Sequence, residues 1–599
     1  MKYLVTDHKW KAEVQKIEWE RIHLHIYLTL EKEGRTVSDT QKMRFYLVDK
    51  MLGMAMAELC ILKYENGQYH LTTNITNPGN CACIPSGIYG LFISDGENTV
   101  AVAEYAYRIF GKLADYSRNF PYNGGQKVYT VNFGVKEGED NLPFEMTILA
   151  AAKTNTNFPA LVHLHDRIHP VNNIRATWLS SKNFLRRSYQ FYYKKYKKKR
   201  AYTVLFLTEQ NDQIASNLKA VMERMQQRGM EKEYTILTSA RFGARGNHGF
   251  KSWLVLVKKL ASSGIVFVDD HAPVLDWLKL SDDTKVVQLW HAGAGFKSSG
   301  YSRWGHPGCP APQSAHRQYS YGISGSQNIA HFFSEVWGIN EEQVLPTGMP
   351  RMDEYLNQER RVEVEQKLRE KYMLCKEKKV ILFAPTYRGR SKLTAYYPYE
   401  LIDFEKLYEL CGDEYVVFFK MHPWVPEAVP IPKQYQDKFV DVNKFPNIND
   451  LFYITDLLIT DYSSNIFEYS LMKKPILFFA FDKLQYAYSR GFHRAYEESA
   501  PGKVVYTFEQ LLAAIREHDF EFEKVEEYVN YSFDYIDCNA SDRVIDWFVL
   551  GQLPKEFQNR INGVKEKYQE MQKLLFENPE YEIQEVTKGK QTEQMEDIK

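Results

Sequence analysis

The stretch VVQLWHAGAGFKSSGY, residues 286 to 301, joins an apolar run directly to a histidine, two glycines and a lysine. An unbroken apolar run is typical of a buried strand in a parallel sheet. Such a strand needs only a turn at its end and no imidazole, and ligands of parallel sheets bind beyond the carboxyl ends of the strands. The stretch therefore predicts half of a site for a substrate phosphate, with the other half roughly 130 residues downstream.

Apolar strands alternate with helix-like segments on both sides of this stretch. One series starts at AYTVLFLTE and a second at KKVILFAPTYRGR, residues 378 to 390. This alternation indicates parallel sheets covered by helices on both faces. We predict an α/β fold with two facing Rossmann-like domains, over residues 201–360 and 361–550, the first of which carries His291.

Residues 1–180 follow a different pattern, in which short apolar and polar positions alternate between turn-forming residues. This pattern predicts a β-rich accessory domain resembling an antiparallel β-sandwich. The pairs His23/His25 and His163/His165 each put two imidazoles on one strand face. We interpret them as surface histidines rather than a metal site, because no cysteine or acidic ligand set accompanies them.

Residues 181–200 are predicted to form a basic, aromatic linker. RRSYQFYYKKYKKKR, residues 186–200, holds eight basic residues, five aromatics and no acid. The segment is suited to contact an anionic membrane surface or to bind a polyanionic chain. The alternative is a solvated helix that only links two domains. At the other end, residues 551–599 are predicted to start as an amphipathic helix, and the final 15 or so to be disordered.

Length and composition limit which other classes of protein the chain can belong to. With 599 residues, two to four domains are expected. Lys plus Arg and Asp plus Glu both count 76, so net charge gives no argument for nucleic acid. Seven scattered cysteines predict a reduced, cytosolic chain. With no signal-peptide core and no run of 18 apolar residues, any membrane contact is expected to be peripheral.

The polar residues that follow the strands form a coherent set, typical by residue type of phosphate contacts. They are His291, Gly293, Gly295 and Lys297; Pro385, Thr386, Tyr387 and Arg388; Lys420, Met421, His422 and Pro423; and Asp461, Tyr462, Ser463 and Ser464. In DYSSNIFEYSLM a helix is predicted to begin at the serines and direct its positive end into the cleft. The alternative is that Ser463 merely caps that helix.

Two histidines, His291 and His422, follow strands of the two predicted domains. Each lies beside small or basic residues. An imidazole can accept a hydroxyl proton or donate to a phosphate oxygen near neutral pH. The pair therefore predicts an enzymatic site in the cleft.

Five motifs, in order, resemble those of the CDP-glycerol glycerophosphotransferase family, the wall teichoic acid primases and polymerases of Gram-positive bacteria. They are WHAGAG, TGMPRMD (347–353), APTYR (384–388), KMHP (420–423) and TDYSSNIFE (460–468), and the resemblance covers about residues 203–535. Two positions depart from the family pattern. Ala294 and Gly295 replace a usual Thr and Pro, and Glu468 replaces a usual Asp, which leaves the donor's identity open.

The resemblance implies a GT-B fold with a CDP-alditol donor in the cleft, on the side of residues 361–550, and the acceptor on the side of 201–360. It implies that His291 is the general base and that His422 contacts the donor diphosphate. It matches Arg351, Pro385, Thr386, Ser463, Ser464 and Glu468 to donor-binding positions. To these the residue types add Gly293, Gly295, Arg388, Lys420 and Met421.

The implied reaction moves glycerol or ribitol phosphate from a CDP-alditol to a hydroxyl of a lipid-linked or polymeric acceptor and releases CMP, at the inner face of the cell membrane. No metal site and no obligatory cofactor are expected, although Mg²⁺ can accompany the nucleotide. Two alternatives stay open: a GT-B glycosyltransferase that uses a nucleotide sugar, and a non-catalytic polymer-binding assembly protein in which the β-rich domain does the work.

Overall fold

The computed structural model describes residues 2–3, 9–135, 142–152, 181–242, 248–389 and 392–576. It contains one 14-stranded sheet and two six-stranded sheets. The expectation of an α/β chain that begins with a β-rich region is confirmed. The His163/His165 pair and the predicted disordered end of the chain lie outside the described residues.

The 14-stranded sheet holds the N-terminal region. It pairs antiparallel, apart from two short parallel contacts of β1 with β26 and of β10 with β2. Its strands are β1 (Lys2–Tyr3), β2 (Trp10–Glu20), β3 (His23–Lys32), β4 (Arg35–Thr36), β5 (Arg44–Asp49), β6 (Met54–Glu65), β7 (Gln68–Asn74), β8 (Gly87–Ser94), β9 (Thr99–Val102), β10 (Glu104–Tyr105), β11 (Arg118–Tyr122), β12 (Lys127–Gly134), β13 (Glu145–Ala152) and β26 (Leu575–Phe576).

Strand β6 links the two parts of this sheet, because its first half pairs with β5 and its second half with β7. Both parts contribute to one core, in which Leu24 and Leu28 of β3 pack with Phe45 and Leu91. Alternation along β3 buries the leucines and leaves His23 and His25 on the opposite face. The predicted β-rich region is therefore present, and His23 and His25 face away from its core.

The first parallel sheet has the order β15-β14-β16-β17-β18-β19. Its strands are β14 (Thr203–Thr208), β15 (Thr235–Ala240), β16 (Ile265–Val268), β17 (Lys285–Gln288), β18 (Tyr321–Ile323) and β19 (Val344–Leu345). Its α-helices are Ser181–Tyr196, Ser216–Gln227, Phe250–Ser262, Ala330–Trp337 and Met352–Leu356; the next helix, Gln358–Lys371, instead contacts helix Ile448–Phe452, where Arg360 pairs with Asp450. We call this unit the first lobe.

The second parallel sheet has the order β22-β21-β20-β23-β24-β25. Its strands are β20 (Lys379–Phe383), β21 (Tyr415–Phe419), β22 (Phe439–Asp441), β23 (Leu457–Thr460), β24 (Ile476–Phe479) and β25 (Lys503–Val505). Its α-helices are Phe404–Cys411, Ile448–Phe452, Ile466–Ser470, Lys483–Ser489, Tyr496–Ser499, Phe508–Arg516 and Glu523–Ser532. Order reverses between β20 and β23, and such a reversal opens a crevice at the strand ends. We call this unit the second lobe.

The two lobes pack against each other. One hydrophobic cluster includes Phe206 and Val287 of the first lobe and Leu458 and Phe478 of the second. The chain then returns: in helix Ala540–Val544, Asp542 forms an ion pair of 2.8 Å with Arg224 of the first lobe. The predicted block 361–550 therefore ends on the first lobe rather than within the second. A final helix, Lys555–Gln572, lies where the sequence predicts one.

The basic, aromatic segment forms helix Ser181–Tyr196, but it does not stand free as a solvated linker. It lies along helix Phe250–Ser262, and its Tyr189 is fully buried in the core of the first lobe. Arg200 is also buried and donates to the carbonyl of Ala261. Aromatic residues at helical spacing thus belong partly to the core. No helix among the described residues has the length and apolar composition needed to cross a membrane.

Candidate active site

The loop of residues 291–298, which follows β17, lies on the second lobe. Its Phe296 carbonyl accepts a hydrogen bond of 2.8 Å from the His493 backbone, and its Ser298 backbone donates to Gly491 at 3.2 Å. A Cβ on Gly293 would lie 2.3 Å from a ring carbon of Phe467, so only glycine permits this approach. The predicted glycine is therefore explained by packing between the lobes. We call residues 291–298 the cleft loop.

The backbone is strained just before the cleft loop. Trp290 has φ +48°, a left-handed conformation that is costly for a bulky residue. The buried amide of Asn217 holds the turn by donating to the Leu289 carbonyl at 2.8 Å and the Trp290 carbonyl at 2.9 Å. The two hydrogen bonds from Asn217 hold this left-handed conformation, and the conformation turns the next side chain, His291, away from the direction of β17.

His291 is placed as a base would be. Its Nδ1 lies 3.5 Å from the Asp270 carboxylate and 3.3 Å from the Asp269 carbonyl, both at the end of neighbouring β16. Because these groups only accept hydrogen bonds, they favour the tautomer with the proton on Nδ1 and leave Nε2 as an acceptor. The side chain is 51% exposed, so a substrate hydroxyl can reach it.

Arg351 joins the His291 end of the cleft to the second lobe. Its Nη1 donates to the His291 carbonyl at 2.7 Å, and its Nε donates at 3.1 Å to the buried carboxylate of Glu468. Its own backbone N–H donates to Asn217. Arg351, Gly293 and Glu468, all predicted to bind the donor, thus cluster around His291, where Arg351 and Glu468 pair with each other.

His422 has a different environment at the other end of the cleft loop. Its ring centroid lies 4.7 Å from that of Tyr387, and its Nδ1 accepts from the Trp424 backbone at 3.2 Å. Burial and the nearby ammonium of Lys297 lower the pKa of His422 to about 4. The imidazole is therefore neutral at pH 7, with its proton on Nε2, and it can donate a hydrogen bond from that atom.

Lys297 lies in a cavity of about 410 Å³ between the lobes, whose walls include Thr386, Tyr387, Arg388 and Arg490. Its ammonium makes no hydrogen bond or ion pair with any described residue, and the nearest aromatic ring, Tyr486, is 5.9 Å away. Burial lowers the pKa of Lys297 to about 8, while the Asp461 carboxylate acts to raise it. A cation held without a partner is suited to an anionic ligand.

Arg388 is not a free anion-binding fork. Its guanidinium makes four hydrogen bonds, to the Asp461 carboxylate, to both oxygens of Asp482 and to the Thr386 carbonyl. Thr386 in turn donates to Asp461 from its backbone at 2.8 Å and from its hydroxyl. These residues form a buried network that shapes the wall beside Lys297, and among the described residues neither Lys297 nor the Arg490 of the same wall has an ion-pair partner.

Lys420 and Met421 have partners that remove them from the predicted donor site. The Lys420 ammonium donates to the carbonyls of Asn443 at 2.6 Å and Phe445 at 2.7 Å. Met421 is buried in the core of the second lobe, and its N–H donates to the Asn443 side chain. Their partners hold these two side chains in the second lobe, which sequence proximity to His422 could not reveal.

The segment after β23 starts its helix later than predicted. The helix spans Ile466–Ser470, and Asn465 rather than Ser463 is its N-cap. Ser463 and Ser464 lie in the preceding turn, where the Ser463 hydroxyl accepts from the Asn465 backbone at 3.3 Å. Pro385 is buried ahead of Thr386. Donor contacts for these three residues and for Gly295 remain predictions.

The sequence reasoning missed several residues of the cleft. Asp482 lies just after β24, so the rule of polar residues at strand ends could have found it. Asp270 follows β16 by two residues, so the same rule could have found it. Arg490 and Arg494 follow a helix and gave no signal. Groups of three or more residues able to hold a metal ion are absent from the described part of the chain.

The part of the chain that forms the two lobes matches a known protein family. Residues 189–550 match the family model described as CDP-glycerol:poly(glycerophosphate) glycerophosphotransferase. The chain belongs to this family. The match takes in both lobes, the cleft loop and both histidines, and it agrees with the motifs in the sequence.

Relatives within this family include named enzymes. The chain is 37% identical over 359 residues to the teichoic acid poly(ribitol-phosphate) polymerase of Bacillus spizizenii, across 60% of this chain and 58% of that protein. It is 37% identical over 349 residues to the ribitol-phosphate polymerase TarL of Staphylococcus aureus, across 58% and 62%. The chain thus matches about three fifths of the length of these relatives.

A third relative, TarK of Staphylococcus aureus, is 33% identical over 421 residues, across 70% of this chain and 81% of that protein. Among solved structures, the wall teichoic acid polymerase TagF has 22% sequence identity and a TM-score of 0.47, across 67% of this chain and 99% of that one. Family membership rests on the family model and the cleft motifs rather than on this loose structural likeness.

Proposed function

We propose that the chain transfers an alditol phosphate from a CDP-alditol to a hydroxyl of a teichoic acid acceptor and releases CMP. The observation that carries the proposal is the cleft loop, which crosses from the first lobe to the second with His291 at one end and Lys297 at the other. A base and an unpaired cation on one short loop can contact the acceptor hydroxyl and the donor diphosphate at the same time.

The proposed architecture is a GT-B arrangement of two Rossmann-like lobes. Its support is the strand order of the second sheet and the shared cleft at the carboxyl ends of both sheets. We place the acceptor on the His291 side and the donor in the 410 Å³ cavity around Lys297. We keep the domain limits 1–180, 181–200, 201–360, 361–550 and 551–599 as proposals, with helix Ser181–Tyr196 and residues 540–544 packed on the first lobe.

The chemical step is an in-line displacement at the β-phosphorus. The acceptor hydroxyl gives its proton to His291 Nε2, and its oxygen forms the new bond to phosphorus. The bond between the β-phosphorus and the bridging oxygen breaks, and CMP leaves with that electron pair. Asp270 stabilises the imidazolium that forms, as expected for a carboxylate at Nδ1.

Charge on the diphosphate is stabilised at the other end of the cleft loop. The Lys297 ammonium offers an uncompensated positive charge, and neutral His422 donates one hydrogen bond from Nε2. Phosphoryl transfer gains mainly from such positioning and electrostatic stabilisation. Mg²⁺ enters this scheme only as a companion of the nucleotide.

We propose ribitol phosphate as the transferred group. The relatives that match over 349 residues or more at 33–37% identity are named ribitol-phosphate polymerases. Those named glycerol-phosphate primases are 29–30% identical over fewer than 300 residues. The shorter match to a poly(glycerol phosphate) polymerase, 35% over 190 residues, makes glycerol the alternative to be tested.

The decisive experiment offers the purified chain CDP-ribitol, CDP-glycerol and UDP-sugars with a lipid-linked acceptor, and measures CMP and UDP release. CMP release with CDP-ribitol above CDP-glycerol is the expected result. UDP release would instead indicate a glycosyltransferase. No nucleotide release from any donor would contradict an enzymatic role and favour a polymer-binding assembly protein.

We also propose that the chain works at the inner face of the cell membrane. Phe184 and Phe191, on helix Ser181–Tyr196, and Phe250, on the neighbouring helix, are exposed beside Lys194 and Lys195. Exposed aromatics and basic residues on one surface suit an anionic bilayer. Sedimentation with anionic vesicles but not neutral ones, lost on changing both lysines to Glu, is expected. Equal sedimentation of the variant would contradict the proposal.

A further inference from the structure

A second large cavity, of about 800 Å³, lies where the β-rich region meets both lobes. It is separate from the cavity around Lys297, and the two cavities share no lining residue. Its walls include Arg21, His25 and Thr72 of the β-rich region, Phe332 and Glu335 of the first lobe, and Arg494 with Tyr531 from the chain beyond β24. Cavities of this size at domain junctions commonly bind ligands.

The Glu335 carboxylate closes one wall of this cavity by joining three parts of the chain. It accepts from His23 at 2.8 Å, from Arg21 at 3.0 Å and from His493 at 2.6 Å. The two histidines and the arginine neutralise this buried acid, so the contact is paired and satisfied. The β-rich region is therefore fixed to the lobes by a specific polar contact, which keeps the cavity open beside it.

The wall retains unused hydrogen-bonding capacity. Five buried side-chain atoms of lining residues have no hydrogen-bond partner among the described residues: Nε of Arg21, Nε2 of His25, Oγ1 of Thr72, Nδ1 of His493 and the hydroxyl oxygen of Tyr528. Buried polar atoms are nearly always paired in native proteins. Such a cluster in a polar cavity is typical of a place that water or a ligand occupies.

A further cavity of about 550 Å³ adjoins this cavity along the face of β2 and β3. The two share Glu20 and His25, and the second is flanked by Trp19, Tyr27 and Tyr116. Together they exceed the roughly 300–1,000 Å³ typical of a site for one small ligand. The continuous surface is the size of an extended chain. We call the two cavities together the acceptor groove.

The inner end of the acceptor groove touches the back of the cleft loop. Arg494 Nη1 donates to the Ala294 carbonyl at 3.2 Å. Phe332 packs beneath Gly295, where a Cβ would lie 3.7 Å from its side chain. A chain that fills the groove therefore ends next to the loop that carries His291, whereas the donor has its own cavity on the other side. The reactant that remains to be placed is the acceptor.

The groove is not built for phosphate alone. Glu20, Glu498 and Glu527 line it and offset the charges of Arg494 and Lys524, so the lining is mixed in charge rather than a cationic surface for a bare polyanion. Carboxylates and imidazoles together accept from and donate to hydroxyls, and aromatic rings pack on C–H faces. We propose that the acceptor groove binds the polyhydroxylated units, polyol or sugar, of the acceptor chain, an inference that rests on the proposed function for the identity of that chain.

Saturation-transfer NMR on the full chain tests binding with three probes: ribitol, a neutral N-acetylhexosamine disaccharide, and a short poly(ribitol phosphate). The three arms separate polyol from sugar as the source of the hydroxyls. The variants are Thr72→Val, which removes a hydroxyl at constant shape, and His25→Ala. Thr130→Val is the matched control, because Thr130 is a partly buried threonine of β12 that lies outside the groove and donates one side-chain hydrogen bond, to Asn119.

At least one probe is expected to bind the wild-type chain and the control. Thr72→Val should weaken that binding about 3-fold and His25→Ala about 10-fold, from the size of single hydrogen bonds. In the transfer assay, the KM for acceptor should rise by the same factors while the Kd of the CDP-alditol stays unchanged. Circular dichroism of each variant separates these losses from misfolding.

Two outcomes would overturn the proposal. One is that all three probes fail to bind the wild-type chain, and the other is that both variants bind and turn over acceptor as the wild type does. If CMP release is normal in either case, the proposed function stands and only the groove is rejected. If the wild type releases no CMP but binds a neutral probe in a Thr72-dependent way, the groove stands and the proposed reaction fails.

Discussion

His291 begins the cleft loop, whereas His422 belongs to the second lobe and lies near Lys297 at the other end of that loop, and the surroundings of the two imidazoles differ. His291 is half exposed, with the Asp270 carboxylate at Nδ1. His422 is mostly buried beside the Lys297 ammonium, which lowers its pKa to about 4. The carboxylate fixes the tautomer of His291, whereas the ammonium favours the neutral form of His422. The proposed roles, a base at His291 and a neutral donor at His422, rest on this difference.

The largest expected effect is on the base. His291→Ala and His291→Gln should both lower kcat by on the order of 100-fold or more, the usual size of acid–base effects, because neither replacement accepts the hydroxyl proton. The Kd of the CDP-alditol should stay the same, since His291 faces the acceptor. His306→Ala, at an exposed histidine, is the matched control. Normal turnover of His291→Ala would show that another group is the base.

Lys297→Met should come next. Losing the unpaired ammonium removes a charged contact to the diphosphate, so kcat/KM for the donor should fall by about 10- to 100-fold. Lys297→Arg keeps the charge and should recover most of that loss. If Met and Arg behave alike, the ammonium does not contact the donor, and the neutral state of His422 needs another explanation.

His422 should tolerate an amide where His291 does not. His422→Leu removes the Nε2 donor and should lower kcat/KM by about 10-fold, while His422→Gln replaces an N–H donor and should lose less than about 3-fold. Steady-state kinetics on the four Gln and apolar variants measures this contrast. Equal losses for His291→Gln and His422→Gln would remove the distinction between the two sites.

The smallest effect is a dependence on pH. Lys297 has its pKa lowered to about 8, so it is protonated at pH 7 and loses its charge as pH rises through that value. Donor kcat/KM should therefore be about four-fold lower at pH 8.5 than well below pH 8. In Lys297→Arg this decline should disappear, because arginine stays charged. A wild-type profile that is flat to pH 9.5 would contradict the assignment.

The positions of both histidines, the cleft loop and the β-rich region could be predicted from the sequence, because apolar runs mark strands and polar residues mark their ends. The sequence could not say which way a side chain turns. Lys420 and Met421 adjoin His422 yet face the carbonyls and core of the second lobe. Nor could it bring Asp482 to Arg388 across 94 positions, since strand order decides which ends meet.

The basic segment of residues 186–200 and the histidines of β3 also make contacts that the sequence did not predict. Composition predicted a charged helix, but packing divides it into a buried face at Tyr189 and an exposed face at Phe191. The histidines of β3 appeared to be ordinary surface residues, and His23 instead bonds Glu335 of the first lobe. Partners that are distant in sequence decided both outcomes.

Nitrogen-15 NMR of the histidine-labelled chain measures the difference between the two imidazoles most directly, with His291→Gln and His422→Gln used to assign the signals. At pH 7, His422 should be neutral with its proton on Nε2 and should gain a second proton only near pH 4. His291 should carry its proton on Nδ1. A cationic His422 at pH 7, or a His291 without a proton on Nδ1, would contradict the assignment of one base and one neutral donor.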